Sequence, residues 1–196
     1  MRRVVTGIDK NGKSVFVSDE EPARHFKAET GQEVYEVWRT YGTPTIPVDE
    51  ADPTVEMTSC LPEVGEGGSF LRFIYWPGTE AIEQAAKDGV DLEAIEKRRQ
   101  AYQGVNPMTG KPFFAAERVK DDPGMHSTDT IDYAIVVSGE IWMELDDGAE
   151  VHLKQGDVVI QNGTKHAWRL RSPLPCVMAF CMIGVVNKYR QHFQDR

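Results

Sequence analysis

Cysteine is scarce in this chain: three in 196 residues, Cys60, Cys176 and Cys181. An odd number without framework spacing argues against a disulfide scaffold and fits a reducing, cytoplasmic setting. Cys176 and Cys181 lie in an apolar run and read as small packing hydrophobes. Long hydrophobic runs are missing too, since nothing approaches the ~18 apolar residues of a membrane span. The opening Met1-Arg2-Arg3-Val4-Val5 is followed by charge instead of an apolar stretch, which predicts no signal peptide. Basic charge is in deficit, with 22 Lys and Arg against 31 Asp and Glu and a formal net charge of −9. Phosphate recognition needs clustered cations. The one dense cluster, Lys97-Arg98-Arg99, sits near Glu93 and Glu96 and reads as a solvated helix face. The expected partner is a small molecule, with neither nucleic acid nor membrane.

Helix signals are also few. Only 79–103 carries them, with acids (Glu80, Glu83, Glu93) preceding bases (Lys87, Lys97), as the helix dipole favours. Gly89 should split this region, with Asp91 as N-cap of the second helix. The length predicts one domain. Its first part, 1–122, reads as an irregular arm packed on the strands of the second half. Short strands are expected at 4–8, 14–17 and 34–39, and an aromatic one at 69–76. Prolines 44, 47 and 53 keep 41–52 extended. The core is 123–185, and 186–196 is a tail or short helix.

That core changes character. Short β-branched runs at 131–137, 141–145, 151–153, 158–161, 166–171 and 176–185 alternate with turn signals. Asp146-Asp147-Gly148 is the hairpin turn with the strongest signature. Regular short strands of this kind predict an all-β sandwich or closed barrel.

Polar residues interrupt these strands at telling places. His126 and Thr128 are two apart and face one side of an extended chain. Asp132 follows at another even offset, and His166 opens a later strand after a glycine turn. Two imidazoles and a carboxylate meeting inside a barrel would hold a divalent transition metal with positions open for substrate. The plainer alternative is hydrogen-bonded core or rim histidines. Gln161, beside the Asn162-Gly163 turn, reads equally as a ligand contact or as turn polarity. Tyr133 and Trp168 are expected to point away from their site neighbours and pack. His152 should face outward and is held as a spare ligand, while His25 and His192 read as surface residues.

The stretch Gly124-Met125-His126-Ser127-Thr128 through Val137-Ser138-Gly139-Glu140 resembles the first motif of the cupin superfamily. Gly156-Asp157-Val158-Val159-Ile160-Gln161-Asn162-Gly163-Thr164-Lys165-His166 resembles the second. The whole chain is similar to stand-alone cupins that carry an N-terminal arm, a group largely without assigned reactions. The resemblance implies a double-stranded β-helix, or jelly-roll barrel, with an irregular arm and a short helical insertion. It also implies a homodimer, since such barrels often pair through added strands. Carried over position by position, the ligands are His126, Asp132 and His166, for iron, manganese, nickel or zinc. The chain departs from the pattern in three places: Thr128 replaces the second His, Asp132 the Glu, and Gln161 the Pro. Asp132, His166, Thr128 and Gln161 are the expected catalytic groups. An oxygenase-like metalloenzyme, a Lewis-acid or metal-free isomerase, decarboxylase or dehydratase, and a non-catalytic ligand-binding barrel all fit these residues.

Overall fold

The computed structural model describes residues 1–46, 52–55, 67–101, 122, 124–186 and 188. Along the chain run β1 (Arg3–Ile8), β2 (Ser14–Glu20), β3 (Arg24–Lys27), β4 (Glu33–Thr40) and β5 (Ser69–Trp76). Two helices come next, α1 (Thr79–Lys87) and α2 (Leu92–Ala101). The remaining strands are β6 (Thr130–Ser138), β7 (Glu140–Glu144), β8 (Glu150–Lys154), β9 (Val158–Asn162), β10 (Ala167–Arg169) and β11 (Cys176–Gly184). No helix among the described residues is long and apolar enough to cross a membrane.

The strands form a six-stranded sheet in the order β3-β4-β5-β11-β6-β9, a three-stranded sheet β10-β7-β8, and a separate β1-β2 hairpin. Every pairing is antiparallel. The core lies between the two larger sheets. Phe70, Trp76, Ala134, Val136, Met178, Phe180 and Met182 from the first meet Ile141, Met143 and Leu153 from the second. Burying one such large side chain stabilises the fold by ~1.5–3 kcal/mol. Trp76 and Trp168 both present edges to Phe180, with ring centroids 6.2 and 5.6 Å away. Two facing antiparallel sheets around one such core are the jelly-roll solution to closing a β-sheet. The all-β expectation holds.

The expected strands are present, each within a few residues of its anticipated ends. The expected break between helices falls at Gly89, and Asp91 Oδ1 accepts the Ala94 N–H at 2.8 Å as an N-cap. Strand β3 was not anticipated, because Arg24-His25-Phe26-Lys27 has no apolar alternation. The arm is also more regular than its composition suggests. Its aromatic strand β5 pairs with β11 from Trp76↔Cys176 to Ser69↔Ile183, and β4 pairs with β5 in turn. Part of 1–122 therefore extends the barrel sheet itself. The expectations for 47–51, 102–121 and most of 186–196, His192 among them, lie outside the described residues, as does Cys60.

The inner face of this sheet is where polar residues gather. On β6 the side chains of Thr130, Asp132, Ala134 and Val136 are buried, whereas Tyr133, Ile135 and Val137 are exposed. On β4 and β5, Glu36 is fully buried and accepts from Arg72 at 2.5 Å. The row Asp132–Met182–Phe70 then connects the site strand β6 across β11 to β5.

Candidate functional site

His126 and His166 are brought together by their own backbones. The His126 N–H donates to the His166 carbonyl at 2.9 Å, and the His166 N–H donates back to the His126 carbonyl at 2.8 Å. This isolated antiparallel bridge sets the imidazole centroids 4.4 Å apart, with their planes tilted by 47°. His126 Nδ1 lies 2.7 Å from the Gly124 carbonyl. A carbonyl only accepts, so Nδ1 carries the proton there.

His166 is buried, and the edge-on ring of Trp168 stands 5.7 Å from it. Burial holds its pKa below the ordinary histidine value, opposed by the Thr164 carbonyl. The ring is therefore neutral at pH 7. Its Nδ1 lies 2.6 Å from Gln161 Nε2 and 3.0 Å from the Thr164 carbonyl. Gln161 is itself buried at 1% exposure. Its Oε1 accepts from the Gly163 N–H, and its Nε2 donates to the Thr164 carbonyl at 2.9 Å. Gly163 adopts φ 66°, which lets the turn fold its N–H back over the Gln161 side chain.

Asp132 sits on the inner face of β6, directly opposite Gln161 on β9 and Met182 on β11. It is 5% exposed, and its Oδ1 has no hydrogen-bond partner. Burial pushes its carboxyl up to about 6, while a hydrogen bond from Thr130 and the charge of Arg72 pull the other way. The hydroxyls of Thr128 and Thr130 pair at 2.8 Å, both buried. Two carboxyls are thus held high by burial on this inner surface, since Glu36 is also raised despite Arg72, Arg24 and Arg39 around it.

All five anticipated site residues, His126, Thr128, Asp132, Gln161 and His166, are buried or half-buried. Gln161 proves to hold the His166 turn as well as to face the interior. Tyr133 points away from the site as expected, but at 44% exposure it stands on the outer sheet face instead of packing. Trp168 does not point away from His166: two residues apart on an extended chain, they share a face, and their rings meet. His152 faces outward, stacked on Trp142 at 4.0 Å and paired with Glu140 at 2.8 Å. His25 likewise stacks on Tyr35 and pairs with Glu33. Thr130 and Arg72 were missed. Strand alternation from Asp132 and from Phe70 would have placed both on the inner face.

The donor types suit a transition metal, and an orphaned buried carboxylate oxygen is what a cation would satisfy. The geometry is less accommodating. Among the described residues, no three His, Cys, Asp or Glu side chains form a group that could hold a metal ion. The two imidazoles adjoin each other without a carboxylate joining them, and Thr128 offers a neutral hydroxyl in the remaining position. As the side chains stand, the set does not fit a metal.

No protein-family model matches the chain. Phomopsin biosynthesis cluster protein C' of Diaporthe leptostromiformis is 54% identical over 48 residues, 24% of this chain and 25% of that protein. A cupin-domain-containing oxidoreductase of Neurospora crassa is 25% identical over 170 residues, 85% of this chain and 64% of that protein. The fold is an all-β jelly-roll barrel. Among solved structures, the Schizosaccharomyces pombe Cnp3 cupin domain aligns over 99% of this chain and 93% of its own, at 8% identity and a TM-score of 0.43. The matched segment spans about a quarter of the length of the phomopsin-cluster relative, and under two thirds of the Neurospora one.

Proposed function

We propose that this protein is a small-molecule enzyme that moves a proton inside its barrel, with Asp132 as the acid–base group. The observation that carries the reading is the Asp132 carboxyl: buried, with Oδ1 unpartnered and its pKa pushed up to about 6. A general base works best when its pKa lies near the working pH, and burial is the usual way to bring a carboxyl there. An ionised Asp132 can take a proton from carbon beside a substrate carbonyl, the electron pair moving onto the carbonyl oxygen. Returning that proton at a second carbon gives an isomer. Expelling hydroxide from the β-carbon, with the proton passed on to form water, gives a dehydrated product. His126 and the neutral His166 supply polar contacts for the substrate oxygen, and Thr128 and Thr130 flank the base.

A second reading is a metal-dependent oxidoreductase, with iron, manganese, nickel or zinc on His126, Asp132 and His166. The name of the Neurospora relative favours it, as does the orphaned oxygen. It requires Asp132 or the imidazoles to rearrange. A cytoplasmic homodimer completes the proposal, supported by the exposed apolar pairs Tyr133↔Ile160 and Ile135↔Val158 on the outer sheet face.

The test is deuterium exchange. The tag-free protein is incubated in D2O with small β-hydroxy carbonyl compounds, and label uptake is followed by NMR. Exchange that disappears in Asp132→Asn and survives EDTA supports proton transfer. Exchange that EDTA abolishes and added metal restores moves the choice to the second reading. No exchange across the panel counts against an enzyme of this class.

A further inference from the structure

Gln161 is not an ordinary polar residue next to a turn. Its amide orientation is fixed from three sides. Oε1 accepts from the Gly163 N–H, so the NH2 group must occupy the other side. One of its hydrogens goes to the Thr164 carbonyl at 2.9 Å, and the other faces His166 Nδ1 at 2.6 Å. Turning the amide over would set its oxygen against the Thr164 carbonyl and its NH2 against the Gly163 N–H, two repulsive pairs in a buried site. His166 Nδ1 also lies 3.0 Å from the Thr164 carbonyl, but the Gln161 NH2 group is nearer at 2.6 Å and cannot accept, so a proton on Nδ1 would point against it; the amide therefore donates to Nδ1. A nitrogen that accepts cannot also carry a proton, so the proton of the neutral ring belongs on Nε2.

We infer that Gln161 is a positioning residue that holds His166 as its Nε2–H tautomer, making the imidazole a hydrogen-bond donor to a substrate oxygen. His126 beside it carries a proton on Nδ1, which donates to the Gly124 carbonyl. The barrel thus holds two adjacent imidazoles oriented by different partners, with centroids 4.4 Å apart. The Nε2–H arrangement would also oppose a metal on this ring. Ligation through Nε2 would require the proton to move to Nδ1, where it would meet the Gln161 NH2 at 2.6 Å. The substrate class that suits such a donor is a compound with a carbonyl oxygen that gains negative charge as a neighbouring carbon is deprotonated. That half of the inference rests on the proton-transfer reading; the tautomer does not.

The experiment reads the tautomer directly. Long-range 1H–15N spectra of protein labelled with 15N-histidine are recorded at pH 8 without substrate, the His166 signals being assigned by their loss in His166→Asn. The expected wild-type result is a protonated Nε2 and a bare Nδ1. Gln161→Glu replaces the donor facing Nδ1 by an acceptor, and the proton should move to Nδ1. Cobalt(II), titrated by its visible absorption, should then bind about tenfold tighter than to wild type. A wild-type His166 protonated on Nδ1 overturns the inference, and so does a folded Gln161→Glu protein whose proton stays on Nε2. Where that variant fails to fold, the wild-type spectrum decides alone. Failure of deuterium exchange with the expected tautomer in place overturns the proton-transfer reading only.

Discussion

The Asp132 carboxyl should make the protein less stable as pH rises, and removing its charge should abolish that loss. In the folded state its pKa is raised from 3.8 to about 6. Between these values the native state holds a proton that the unfolded chain releases, so stability falls with increasing pH through this window. The cost is absent below about pH 4 and complete above about pH 7. A rise of about two pKa units corresponds to ~3 kcal/mol. The side chain is 5% exposed, so solvent screens little of this. Asp132→Asn keeps the shape and removes the ionisation. Urea unfolding of both proteins at half-unit steps from pH 4 to 8 gives the difference in stability directly. That difference should shift by ~3 kcal/mol in favour of the variant on going from pH 4 to 8, or ~6–12 °C in Tm for a chain of this size. The decisive quantity is the slope, because an amide has its own hydrogen-bonding cost at every pH. A difference that is flat with pH would refute the claim that burial holds this carboxyl high.

Other perturbations test the packing and the turns. Glu36→Ala removes the carboxylate that Arg72 meets at 2.5 Å in a buried pair, and should cost ~3–5 kcal/mol by urea midpoint. A loss below ~1 kcal/mol would mean that the pair is solvated in solution. Gly139 has φ 76°, and a Cβ there would stand 2.2 Å from the Pro175 carbonyl. Gly139→Ala should therefore destabilise by at least ~2 kcal/mol, read as a lower Tm, whereas an unchanged Tm would show that this turn can relax. Phe180→Ala empties the space between Trp76 and Trp168 and should cost ~3–5 kcal/mol, with a red shift in tryptophan emission.

How far the sequence could be read depended on how local the governing physics was. Alternation and turn chemistry are local, so β6 and the Asp146-Asp147-Gly148 hairpin turn were legible at once. The Gly89 break and Asp91 cap were legible for the same reason. Strand β3 was not, because Arg24-His25-Phe26-Lys27 is held at a sheet edge by pairing with β4, which lies outside any local pattern. The incorporation of the arm was hidden similarly, since β5 pairs with β11 from the far end of the chain. At the site, strand alternation placed Asp132 on the buried face of β6, whereas Ser127 and Thr128 are buried side by side before that strand begins. Applied to His166, alternation also requires Trp168 on the same face, and the contrary expectation failed there. What no sequence pattern could supply was hydrogen-bond direction. The role of Gln161 depends on which end of an amide meets Gly163, and only a folded turn fixes that.

The three departures from the cupin motif are physically connected. Thr130 donates its hydroxyl to Thr128 and shares the inner face of β6 with Asp132, Asp132 lies opposite Gln161, and Gln161 holds His166. A histidine at 128 would remove the hydroxyl that Thr130 pairs with. A proline at 161 would remove the amide that faces Nδ1. Together the three residues satisfy a buried polar interior through one another. A double-mutant cycle tests the connection. Thr128→Val and Asp132→Asn, alone and together, should depart from additivity by ~0.5–3 kcal/mol in unfolding free energy at pH 8, as groups in one hydrogen-bonded network do. The coupling should weaken at pH 4, where Asp132 is protonated and interacts less strongly with the Thr130 hydroxyl. Additivity within ~0.5 kcal/mol at both pH values would show that Thr128 fills space beside the site without acting on its base.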